Sequence, residues 1–164
     1  HNSSSAASDV YKRQREETSK YTDLLTDGKA RMFTWVMEAK SVVTSPSPEK
    51  PILYKGIQQL RGLAWSGKGK IKRVDVSLDG GKNWRTAQLH APIMSKSLVR
   101  FTLPFEWSGE ELLIQSRAID ETGYVQPYIQ ELQKIRGKNS IYHNNSIATW
   151  LVSKSGRVDN VRLG

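Results

Sequence analysis

A chain of 164 residues suits a single domain with room for an ample core. It has no cysteine, which excludes disulfides, Cys-ligated zinc and thiolate chemistry. Twenty-five Lys and Arg against sixteen Asp and Glu leave a charge of +9, which favours anionic partners; the charges are scattered along the chain, as on a solvated surface.

Residues 1–14 do not belong with the rest. Asn2–Ser8 is Ser/Ala-rich and aperiodic, and Ser3–Gln14 resembles translated sequencing-adapter sequence, so residues 1–14 are read as a non-native or disordered leader outside the fold. The polar N-terminus has no apolar signal-peptide core, and no run of about 18 apolar residues suggests a membrane helix. Residues 15–30 are polar with an Asp27-Gly28 turn signal and read as a linker. Met32 to Val43 is strand material, and the prolines of Ser45–Pro51 demand a loop or an edge because each lacks an N–H donor. Short strands follow at regular spacing. Ile57–Trp65 is expected to be broken by Gly62, Ile71–Ser77 comes next, Asp79-Gly80-Gly81 turns the chain into Trp84–Ala87, and Leu98–Leu103 is expected to end at Pro104. Leu112–Ala118 is a strand, Asp120–Gly123 a turn, and Ile147–Val152 pairs with Val158–Leu163 across Lys154-Ser155-Gly156. Only Ile129–Arg136 suggests a helical turn. About seven short strands with Gly-rich turns predict an all-β, Ig-like sandwich over residues 31–164.

Candidate chemistry is sparse. The histidines His1, His90 and His143 have no metal-ligand spacing. Ser77–Trp84 is a tight hairpin of the Asp-box kind; a propeller needs several copies and there is one, so it reads as structural. Arg117–Gly123 is a strand running into a turn, with Asp120 as turn former. Tyr142–Asn145 offers His143 no Ser or Cys nucleophile to activate, and the Glu16-Glu17 and Glu110-Glu111 pairs look solvated. Asn144-Asn145-Ser146 matches the glycosylation pattern only weakly. Arg136-Gly137 is the residue pair suited to an oxyanion: guanidinium donors are planar and fixed, and a neighbouring glycine permits close backbone approach.

Several pieces in order resemble one family. Leu63–Gly67, Val74–Gly81 with Trp84, Arg117-Ala118 with Asp120, Val125-Gln126-Pro127 and Arg136-Gly137 look like the C-terminal dimerisation domain of the molybdenum-cofactor sulfite oxidase family. Tyr21–Leu24, Trp35–Ser41 and Asn139–Asn145 look closest to the sulfane dehydrogenase subunit of the bacterial thiosulfate-oxidising complex. The resemblance implies an Ig-like (E-set) sandwich that pairs two protomers, and a linker at 15–30 arriving from an upstream molybdenum domain. It implies that Arg136 sits beside the substrate oxyanion, binding sulfite or a protein-bound sulfane sulfur. It also implies molybdenum-molybdopterin in the parent enzyme, held by a cysteine this chain lacks, a c-type cytochrome as electron acceptor, and a periplasmic location. The piece alone is then expected to bind no cofactor and to be inactive. The loop around Asn139–Tyr142 is longer than in the family's shorter forms. The alternative is a stand-alone basic sandwich that binds an acidic polymer, with affinity falling steeply as salt rises.

Overall fold

The computed structural model describes residues 22–24, 30–33, 36–136 and 143–162. The predicted leader, residues 1–14, lies outside them. The chain divides into two compact units, His1–Met37 with Tyr128–Asn144, and Glu38–Pro127 with Asn145–Gly164. The first holds β1 (Thr22–Leu24) and β2 (Ala30–Phe33), an antiparallel pair, and the helix α1 (Ile129–Arg136).

The second unit is a sandwich of two antiparallel sheets. Its strands are β3 (Lys40–Ser45), β4 (Gly56–Trp65), β5 (Ile71–Ser77), β6 (Arg85–Thr86), β7 (Gln88–His90), β8 (Val99–Trp107), β9 (Leu112–Asp120), β10 (Thr149–Val152) and β11 (Val158–Val161). One sheet runs β3-β4-β8-β7 and the other β11-β10-β9-β5-β6. The prediction of an all-β, Ig-like sandwich holds. The sheets contain more than seven strands because Trp84–Ala87 yields only a two-residue strand on one sheet and hands the chain to three-residue β7 on the other.

Period-two patterning drives the assembly. On β8, Val99, Phe101, Leu103, Phe105 and Trp107 are buried, while Arg100, Pro104 and Glu106 between them are exposed. Phe101, Leu60, Ile114, Val74, Val76 and Val152 fill the interior between the sheets. Two expected breaks do not occur. β4 runs unbroken through Gly62, whose missing Cβ leaves the space that the Phe101 ring occupies: a Cβ there would lie 2.1 Å from Phe101 Cζ. β8 runs through Pro104, which pairs with Gln59 of β4. On its other side β7 reaches only as far as Thr102, so no ladder partner is denied the absent N–H.

The Asp79 hairpin is structural, as expected. Gly80 and Gly81 take φ of 74° and 92°. The Asp79 carboxylate accepts the Ser77 hydroxyl at 2.7 Å and the Asn83 amide N–H at 2.9 Å. Hydrogen bonds from the Asn83 backbone and side chain and from Ser77 hold its pKa down to about 2. Trp84 ties back to the Gly81 carbonyl through Nε1 and lies 4.2 Å from the Arg117 guanidinium, which also donates to Asp75 at 3.2 Å.

Candidate functional site

The sandwich has two ends. At one, Lys40 pairs with Trp65, and Ile71 with Asp120. There β9 finishes in a turn organised by one carboxylate. Asp120 is fully buried; its Oδ2 accepts the Ser66 hydroxyl at 2.7 Å, and its Oδ1 accepts the N–H groups of Thr122 at 3.0 Å and Tyr124 at 3.2 Å, with the Thr122 hydroxyl beside them. Burial pushes this carboxyl up, but the donors from Thr122, Ser66 and Tyr124 together outweigh it and leave the pKa below its ordinary 3.8.

A carboxyl with a depressed folded-state pKa stabilises the fold above its unfolded pKa and loses that stabilisation as pH falls through the folded one. Asp120→Asn is therefore expected to start from a lower stability at pH 7 and to lose less between pH 4 and pH 2 than the parent chain. Urea midpoints read from the five tryptophans across that range check it; parallel acid profiles would refute the assignment.

Beyond the turn, Val125 bridges to Ile119, and the chain reaches Gln126. This side chain is 1% exposed and sits at the centre of a polar cluster inside an otherwise apolar core. Its Oε1 accepts the Ser41 N–H at 2.9 Å, the Ser41 hydroxyl at 2.8 Å and the Ala118 N–H at 3.1 Å. Two backbone N–H groups aimed at one atom fix which end of the amide is the oxygen. Ser41 Oγ lies 2.8 Å from Ser116 Oγ, joining β3 to β9 across the sandwich. Nε2 of Gln126 donates to the Ser146 carbonyl at 3.2 Å, and the Ile147 N–H donates to the Pro127 carbonyl at 2.9 Å. Asn145, also buried, donates to the Ala39 carbonyl at 3.2 Å and to the Tyr124 hydroxyl at 3.0 Å. The points where the chain leaves the sandwich, after Pro127, and where it returns, at Asn145, are thus bonded to each other.

Between those points lies α1, in the other unit. The Glu131 carboxylate accepts the Tyr128 N–H at 3.2 Å, and Lys134 and Arg136 lie in the last turn, where cations oppose the helix dipole. Leu132 and Arg136, four residues apart and so on one face, are both buried. The predicted helical turn is this helix, and the predicted oxyanion residue is its last member. Gly137 and the expected long loop around Asn139–Tyr142 lie outside the described residues. His143 is buried. His90 instead meets Thr102, with its Nε2 2.7 Å from Thr102 Oγ1.

A molybdenum cofactor would need a thiolate ligand. The sequence has no cysteine, and among the described residues no three of His, Asp and Glu converge. The residues present do not fit as the metal's ligands.

The model of the Mo-co oxidoreductase dimerisation domain family matches residues 31–150. The chain belongs to that family. Its relatives are oxidoreductases. Sulfite oxidase of Gallus gallus is 40% identical over 98 residues, covering 56% of this chain and 21% of the relative. Mitochondrial sulfite oxidase of Homo sapiens is 33% identical over 98 residues, 56% of this chain and 18% of the relative. NADH nitrate reductase of Solanum lycopersicum is 37% identical over 105 residues, 56% of this chain and 12% of the relative. Among solved structures, the sulfane dehydrogenase SoxCD of Paracoccus pantotrophus superposes with a TM-score of 0.88 at 60% identity, over 92% of this chain and 39% of that one. The chain thus spans about a fifth or less of these curated relatives. Parent enzymes of this family depend on a molybdenum cofactor.

Proposed function

We propose that this chain is the dimerisation domain of a molybdenum-dependent sulfite or sulfane dehydrogenase. It pairs two protomers, and Arg136 contributes a cation to the oxyanion site of a catalytic domain that holds the metal. The observation that carries this reading is the 60% identity to SoxCD over 92% of the chain. At that level the sulfane dehydrogenase is the favoured parent, with a c-type cytochrome as electron acceptor, a periplasmic location and a role in thiosulfate oxidation. The proposed domain order follows the same reading, with residues 15–30 as the linker from the molybdenum domain, residues 31–164 as the dimerisation domain, and residues 1–14 foreign to the fold.

Arg136 supports the reading by its chemistry. A guanidinium is a planar cation that offers parallel donors to two oxygens of one anion. Losing one charge-assisted contact costs about 1.5–3 kcal/mol. Arg136→Ala in the full enzyme is therefore expected to raise KM for the oxyanion about tenfold to a hundredfold, with a smaller change in kcat. Arg136→Lys keeps the charge without the fork and is expected to recover only part. Steady-state kinetics unchanged by Arg136→Ala would sink the assignment.

A further inference from the structure

We propose that Leu53, Tyr54 and Ile57 form the apolar centre of the face through which two copies of this chain pair; the proposal rests on the dimerisation reading above and names its surface. These three side chains are 81%, 71% and 83% exposed, the highest values among the exposed large hydrophobic residues described. They are not on a slack loop. Ile52, just before them, is buried, and its N–H donates to the Gly156 carbonyl at 3.0 Å. The Gln58 side chain donates to the Tyr54 carbonyl at 2.9 Å, and Ile57 is held in β4 opposite Glu106. An ordered backbone thus holds three large apolar groups out in water, as a binding surface does.

Position in the fold narrows the occupant. The patch lies where Gly56 of β4 meets Trp107 of β8. The ten residues of β4 span roughly 33 Å, at about 3.3 Å each. At the far end of that strand Trp65 pairs with Lys40, next to Glu38, where the chain crosses into this unit. The other two crossings, after Pro127 and before Asn145, are tied to Ala39, Ser41 and Ala118, at that same far end. Every covalent link from the sandwich to the upstream segment and to the excursion bearing Arg136 therefore attaches away from the patch. A catalytic domain arriving through those links, and an electron acceptor that must approach it, belong at the opposite end. The patch is left for a partner that the chemistry does not need nearby.

Charge selects a second copy. Two chains of +9 repel unless they meet where charge is mixed. The flanks of the patch are mixed: Glu49, Lys50, Lys55, Glu106 and Glu110 are all exposed around it. A two-fold contact places one patch on its own image, so Lys55 of one copy can face acidic residues of the other. A standard interface buries about 800 Å² per partner, with an apolar centre and a polar rim. Three large side chains, each more than two-thirds exposed, supply such a centre, and these charges supply the rim.

The test is sedimentation velocity on the full enzyme across nanomolar to micromolar concentrations. The parent protein is expected to sediment as a dimer, and the Leu53→Glu/Ile57→Glu variant as a monomer, with the dimer dissociation constant raised at least a hundredfold and the melting temperature little changed. The milder Ile57→Ser is expected to raise that constant about tenfold, which keeps the test decisive if the double variant aggregates. Leu98→Glu, at an exposed position near the opposite end, is expected to remain dimeric. Variants as dimeric as the parent overturn the proposal, as does dissociation by Leu98→Glu with the patch variants intact. So does loss of cytochrome binding by the patch variants with sedimentation unchanged. A monomeric parent enzyme overturns the dimerisation reading itself.

Discussion

Gly62→Ala is expected to destabilise this chain by about 3 kcal/mol or more, although it adds a single methyl group. Gly62 lies on the inner face of β4, directly opposite Phe101 of β8. A Cβ there would stand 2.1 Å from Phe101 Cζ, 2.5 Å from Cε1 and 2.5 Å from the Val42 carbonyl oxygen. Neither neighbour yields cheaply. Phe101 is completely buried between the sheets, and the Val42 oxygen belongs to the backbone of β3, paired with β4. Overpacking a filled core costs about 1–3 kcal/mol, and more when backbone must move. Urea unfolding of the two chains checks the figure. Phe101→Leu in the Gly62→Ala background is expected to recover part of the loss, because leucine has no atom where Cζ stood, although the same change alone destabilises. Strictly additive effects would show that the ring over the glycine is not the cause.

The same pair of residues shows what patterning can and cannot reveal. Alternation in Val99–Leu103 marks one buried face, apolar residues such as Ile71, Val74 and Val76 and Leu112–Ile114 mark further strands, and the turn residues Gly80, Gly81 and Gly123 mark where strands stop, so the sandwich is legible from sequence. Gly62 and Pro104 look like breakers because propensity is a local quantity. Their acceptance depends on residues far away in sequence: a phenylalanine on the neighbouring strand in one case, and the early end of β7 in the other.

The site was partly legible. Arg136 stands out as an Arg-Gly pair in irregular sequence, and its place at the end of a short helix fits the expected helical turn. The polar cluster around Gln126 leaves a fainter signal. Ser41 and Ser116 each occupy an inward position of a strand whose other inward residues are mainly apolar, which is the signal available before the fold is known. What the sequence could not reveal is that Gln126, 85 residues from Ser41, supplies their common partner. Long-range polar pairing leaves no periodic trace; it follows only once the sheets are stacked.

Gln126→Leu is expected to lower the stability of this chain by about 4 kcal/mol or more, although the two side chains are similar in volume. The leucine removes the acceptor of two buried backbone N–H groups, on Ser41 and Ala118, and of the Ser41 hydroxyl. A buried donor left unpaired costs about 1–3 kcal/mol each, against a total stability of about 5–15 kcal/mol. The change also removes the donor to the Ser146 carbonyl, one of the bonds that join the departing chain to the returning one, and leaves in place the bond from the Ile147 N–H to the Pro127 carbonyl. That bond is then expected to open more often, and the Ile147 amide to exchange with solvent faster by more than the global loss of stability explains. Gln126→Glu separates the two roles. It keeps an oxygen for the sandwich donors while replacing the nitrogen that reaches Ser146 with a second acceptor. Its effect should fall on the Ser146 side, with fast exchange at Ile147 and a smaller fall in urea midpoint than in the leucine variant. Equal midpoints for the two variants, or an Ile147 amide that follows global unfolding in both, would mean that Gln126 holds the sheets together without controlling where the Arg136 excursion begins and ends.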